Sequence, residues 1–146
     1  MHFILTEEQA AIQETALAFA RDRLAPGAAE WDEKAVFPID VIRETAALGM
    51  ATIYVPAELG GSGLSRLDGV LIFEALSTGC PAIASYISIH NMVAWMLGRY
   101  GSAEQVATWM PKLASMEWLA SYCLTEPAAG SDAAALATTA RREGDH

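Results

Sequence analysis

Trp118-Leu-Ala-Ser-Tyr-Cys-Leu-Thr-Glu-Pro-Ala-Ala-Gly-Ser-Asp132 is the stretch where the character of the chain changes. Upstream, apolar residues recur at helical spacing. Here, residues 119–124 read as a short buried strand and residues 125–134 as a polar loop punctuated by proline and glycine. Taken alone, Thr-Glu-Pro followed by Gly-Ser-Asp is also an ordinary polar turn after a strand. Residues 137–142 read as a second strand and 143–145 as a turn, too few elements for a sheet stable by itself. The expected organisation is therefore mainly α, a helical unit over residues 1–117 followed over 118–146 by the first strands of an incomplete β-domain.

Working back from Trp118, five helices are expected. Thr6 and Gln9 make a capping box with two glutamates between them, and Ile12, Ala16, Phe19 and Ala20 then share one face. Pro26-Gly27 is expected to stop that helix. Pro38 opens a second one, with Val41, Ile42, Thr45 and Leu48 apolar and Gly49 at its end. Residues 52–63 are rich in glycine and proline and read as an irregular loop. Ser65 and Asp68 cap a third helix that reaches about Ser77, and a fourth runs from Pro81 to Tyr100, apolar nearly all round and so buried on most sides. Ser102 and Gln105 repeat the capping box for a fifth, which Pro111 is expected to kink or restart.

Composition narrows the function classes. Hydrophobic residues make up 53% of the 146, so the chain is expected to fold. The net charge of −9 comes without a basic patch, which argues against nucleic acid or an anionic membrane as partner. Residues 75–98 carry no formal charge, yet Gly79, Pro81, His90 and Asn91 interrupt them, and two buried helices explain them better than a membrane span. The first residues have neither a basic nor a long apolar region, so no signal peptide is expected. Cys80 and Cys123 lack metal or disulfide spacing, and are expected to be buried in a reducing, cytoplasmic setting. His90 and Asn91 read as a hydrogen-bonded core pair, the four tryptophans as packing residues, and Glu74 has no partner carboxylate. No metal site, Ser-His-Asp set or P-loop is present in the pattern, and no catalytic residue is assigned.

The segment Tyr122-Cys-Leu-Thr-Glu-Pro-Ala-Ala-Gly-Ser-Asp132 resembles the flavin-binding signature of the acyl-CoA dehydrogenases. Three further segments are similar in order and spacing: Leu5-Thr-Glu-Glu-Gln-Ala10, Glu58-Leu-Gly-Gly-Ser-Gly63, and residues 101–113. The run Tyr86-Ile-Ser-Ile-His-Asn91 is most similar to members acting on short branched acyl groups such as isobutyryl-CoA. The resemblance implies FAD as cofactor and dehydrogenation of an acyl-CoA thioester across its α and β carbons. It assigns cofactor contact to Tyr122, Cys123, Leu124, Thr125, Glu126, Pro127, Ala128, Ala129, Gly130 and Ser131, with Ser131 also touching substrate. A strand end turning into a loop suits a flavin's polar edge, because it gathers backbone N–H groups and a hydroxyl at fixed positions.

The resemblance further implies an electron-transfer flavoprotein as acceptor, a homo-oligomeric complete enzyme, and a catalytic carboxylate in a carboxy-terminal domain. The 146 residues alone are accordingly expected to be an inactive fragment that binds FAD weakly or not at all, with an apolar face left open. A stand-alone helical interaction module derived from the family is the alternative. Acyl-CoA oxidase or flavin monooxygenase chemistry on the same fold is a further one. Residues 82–100 are expected to border the acyl pocket, with Tyr86 and Ile87 shortening it.

Overall fold

The computed structural model describes residues 4–144. Its helices are α1 (Glu7–Phe19), α2 (Ala25–Glu33), α3 (Ile39–Ala47), α4 (Arg66–Ser77), α5 (Pro81–Tyr100) and α6 (Ala103–Ala114). α1 packs on α4, α4 on α5, and α5 on α6; α1 and α4 run in the same direction with their starts joined through Gln9 and Asp68, and residues 48–65 are irregular. The expected helical fold is present.

Local chemistry sets the starts of three helices. Thr6 and Gln9, Ser65 and Asp68, and Ser102 and Gln105 each close a reciprocal capping box. Gln9 also donates its amide to Asp68 at 3.1 Å, so the caps of α1 and α4 are tied to each other. With the Ser65 hydroxyl the largest contributor, these hydrogen bonds hold the Asp68 carboxyl below its ordinary value.

Pro26-Gly27 does not stop the first helix. Residues Ala20–Leu24 form a π-helical turn in which the Ala25 N–H reaches back to the Ala20 carbonyl, and α2 continues directly. Pro26 falls in the opening turn of α2, where its missing N–H costs little. The turn packs against the α4–α5 junction at Gly79, where a Cβ would lie 2.5 Å from the Ala20 carbonyl oxygen. Pro111 likewise neither ends nor restarts α6, which runs through it.

The main core gathers Leu24, Ile42, Ile53, Ile72, Leu76 and Ile87, all at most 2% exposed. Burying each such side chain contributes about 1.5–3 kcal/mol. A second, smaller cluster joins Val55, Ala94, Met110 and Leu113 between α5, α6 and the loop. Leu48, expected on an apolar face, is instead exposed.

The loop is held by a buried amide. Asn91 accepts from the Ile53 N–H at 2.7 Å and donates to the carbonyls of Met50 and Ile87 at 2.8 and 2.9 Å. Gly61 closes the same loop so tightly that a Cβ would sit 2.0 Å from the Val55 carbonyl oxygen. Asn91→Ala leaves the Ile53 N–H and Met50 carbonyl without partners in the core and should lower stability by about 3 kcal/mol. Chemical denaturation followed by circular dichroism measures this; a loss below about 1 kcal/mol would mean the loop does not depend on that amide.

Candidate functional site

Beyond α6 the chain reverses through Met116, a buried residue with φ of 53° that sits against Thr45. Arg43 donates to the Met116 carbonyl at 3.2 Å, and the Trp118 N–H to the Lys112 carbonyl at 3.1 Å. His90, fully buried on α5, uses both ring nitrogens here. Nδ1 accepts from the Ala120 N–H at 3.2 Å, which leaves Nε2 to donate to the Leu113 carbonyl at 3.0 Å. Burial pushes the His90 pKa below its ordinary value, opposed by the Leu113 bond. The expected core pair of His90 and Asn91 is confirmed in kind, although each residue bonds main chain rather than its neighbour.

Residues 119–124 form no strand, nor do 137–142; among the described residues the one β-type pairing is a bridge between Glu126 and Ala129. The strand expectation fails for a simple reason: ladder hydrogen bonds need a neighbouring strand, and none lies beside these residues. Gly144 has the positive φ of a turn, while Asp145 of the expected 143–145 turn lies outside the described residues.

The ten residues assigned to cofactor contact split by environment. Tyr122, Cys123, Thr125, Pro127, Ala128, Gly130 and Ser131 are exposed, and Leu124 is half-buried. Cys123 is thus not buried as expected, whereas Cys80 is. Glu126 and Ala129 close a tight turn through N–H···O=C bonds of 2.9 and 3.1 Å, and Ala129 is 2% exposed. The Glu126 carboxylate turns back to accept the Thr138 hydroxyl and the N–H groups of Ala137 and Thr138, at 2.8 and 2.9 Å for the latter two. Those bonds, the Thr138 hydroxyl foremost, hold its pKa below the ordinary value. Sequence reasoning missed this use of Glu126, for which nothing local gives a signal. Asp132 caps a short helical turn at Ala133–Ala135 by accepting from the Ala134 N–H at 3.2 Å.

Tyr122 stands at one end of an apolar groove of about 580 Å³, walled by Val93, Met96 and Leu97 of α5, Trp109 of α6, and Trp118. Trp109 and Trp118 are 41% and 45% exposed, so they line a surface instead of filling a core. Ile87, expected to shorten an acyl pocket, is fully buried in the bundle interior. Tyr86 packs edge-on against Phe37 with ring centroids 4.7 Å apart. The α5 residues that line the groove are instead the half-buried Val93, Met96 and Leu97. Among the described residues no group of His, Cys, Asp or Glu could hold a metal ion, and no helix is long and apolar enough to cross a membrane.

The helical bundle and its glycine-rich loop are those of an acyl-CoA dehydrogenase amino-terminal domain. A model of that domain matches residues 6–117, and the chain belongs to the acyl-CoA dehydrogenase family, a family of FAD-dependent oxidoreductases. It is 53% identical over 142 residues to the mitochondrial isobutyryl-CoA dehydrogenase of Bos taurus, covering 97% of this chain and 34% of that protein. Among solved structures it is similar to a glutaryl-CoA dehydrogenase in complex with glutaryl-CoA, at TM-score 0.92 and 31% identity over 100% of this chain and 38% of that one. The glutaryl-CoA dehydrogenase of Mycobacterium smegmatis in complex with FADH2 follows at TM-score 0.89 and 30% identity, over 96% and 36% of the two chains. The chain spans about a third of the length of these relatives.

Two pH effects follow from the bonding. Unfolding frees His90 to take a proton below its ordinary value of 6.5, so stability should fall as pH drops through 6.5 towards the lower folded value. His90→Gln should flatten that dependence, as read from denaturation midpoints between pH 5 and about 8. Glu126 has the opposite kind of partner: its contribution is present above its ordinary value of 4.5 and is lost as pH falls through the lower folded one. Protection of the Ala137 and Thr138 amides, taken relative to intrinsic exchange at each pH, should fall over that acid range, and Glu126→Gln should show the low protection at neutral pH.

Proposed function

We propose that this chain builds the helical wall and one flavin-facing edge of an FAD-dependent dehydrogenase acting on short, branched acyl-CoA thioesters. In this reading residues 1–117 are the helical domain and 118–146 open the β-domain. The observation that carries it is the mostly exposed run 122–131, which leaves the α5–α6 groove at Tyr122.

Among the described residues the hydroxyls of Thr125 and Ser131 have no partner, and a Cβ built on Gly130 would meet no atom within 4 Å. Free hydroxyls, free N–H groups and a glycine that allows close approach fit the polar edge and phosphate tail of a flavin nucleotide. Tyr122 to Ser131 are assigned to that role, with Ser131 also directed to the CoA portion of the thioester. Glu126 and Ala129 act by holding the turn, since their side chains are already engaged. FAD, when bound, supplies the acceptor for the hydrogen leaving the β-carbon.

The chain's own part is to bind, orient and keep water away. The apolar groove residues Val93 and Met96 wall the acyl group, and a small branched chain suits the relative whose name specifies isobutyryl-CoA. An electron-transfer flavoprotein as acceptor and self-association of the complete enzyme belong to the same proposal.

One exposed loop buries little of a cofactor, so the 146-residue chain should hold FAD weakly and turn over nothing. Titrating FAD into the isotope-labelled chain should shift amides of residues 122–131 in fast exchange, with no flavin retained on desalting. Isobutyryl-CoA with a dye acceptor should show no oxidation. Flavin retained one-to-one through the column would overturn the weak-binding statement, and shifts confined to other residues would overturn the assignment of the loop.

A further inference from the structure

We infer that His90 is a positioning residue for the segment 121–131: its imidazole is the last hydrogen-bonded tie between the helical bundle and the chain that carries the cofactor-facing run. The inference rests on the flavin reading of that run for its significance, though not for its geometry.

Between Leu113 and Ala120 the chain leaves α6 and reverses. Several bonds hold the early part of that reversal: Met116 N–H to the Leu113 carbonyl at 3.0 Å, Trp118 N–H to Lys112, and Arg43 to Met116. The Ala120 N–H then bonds to His90 Nδ1. Among the described residues, no hydrogen bond from 121–144 reaches the bundle; the bonds of Glu126, Asp132 and Arg142 all stay within the segment. Ala120 is two residues before Tyr122, so the direction in which the run departs is set at this bond.

The choice of residue fits the task. The two main-chain groups to be joined are a carbonyl on α6 and an N–H seven positions later, one acceptor and one donor, both facing an otherwise apolar helix. A leucine would pack there but leave both groups without partners. Neutral imidazole is an acceptor at one end and a donor at the other, on a rigid ring of fixed span. With Nδ1 accepting from Ala120, the proton must sit on Nε2, so the bonding selects one tautomer. Glutamine offers the same donor and acceptor on a flexible chain; phenylalanine keeps the ring and offers neither.

The test uses the 146-residue chain in wild-type, His90→Gln and His90→Phe forms. In the wild type, nitrogen NMR of His90 should show the neutral Nε2–H tautomer. The Ala120 amide should exchange about ten-fold more slowly than in His90→Phe, the equivalent of one lost hydrogen bond. A nitroxide on the exposed Cys123 should be ordered in wild type and His90→Gln but mobile in His90→Phe, while helical circular dichroism is retained. That combination separates positioning from a plain loss of fold. FAD-induced shifts at residues 122–131, collected on unlabelled thiol, should weaken in His90→Phe and recover in His90→Gln.

An unchanged nitroxide spectrum in folded His90→Phe would overturn the inference. So would the Nδ1–H tautomer in the wild type, a measurement that stands even if His90→Phe fails to fold. If FAD shifts none of residues 122–131 in the wild type, the flavin reading falls; the tautomer, exchange and label results still decide the role of His90.

Discussion

Two consecutive side chains in the middle of α5 satisfy main-chain groups that helix geometry leaves behind. Asn91 serves the loop at residues 50–53, and His90 serves the reversal after α6. Both segments are irregular, and both press against the bundle, residues 50–53 fully buried and the reversal partly so. Unpaired N–H and C=O groups there would each cost on the order of 1–3 kcal/mol. An all-apolar α5 would bury more hydrocarbon yet leave these segments without a defined path. Adjacent residues on a helix point about 100° apart, so the pair can reach two different layers from one place.

The groove beside Tyr122 follows from the same arrangement. Because Ala120 is held against α5, Trp118 and Tyr122 fall on either side of the tie and face the outer surface of α5 and α6. Apolar side chains therefore meet a polar loop along one line.

Much of this was legible in the sequence because the signals are local. Capping boxes at Thr6, Ser65 and Ser102 depend on residues three apart, and each formed. His90 and Asn91 stood out as polar residues on an apolar helix, and their burial with hydrogen bonds followed. What stayed hidden depends on distant partners. Residues 119–124 have strand composition, but a strand is defined by its neighbour. Ile87 and Val93 are both branched apolar residues of α5, and only packing decides that one is core and the other lines the groove. Glu126 reads as part of a signature, while its carboxylate is occupied by Ala137 and Thr138. Pro26-Gly27 looked like a stop because the rule for proline assumes an unbroken ladder, and the π turn just before it supplies a fresh helix start.

That turn also acts as a slack link in the rod formed by α1 and α2. A π turn holds one residue more than an α turn, so it absorbs an extra position without rotating the helix beyond it. Ala16 and Phe19 before the turn, Leu24 at its end, and Ala28 and Trp31 beyond it all pack on the same core. Losing one position within Ala20–Leu24 would restore ideal winding and leave the far half of the rod on the bundle.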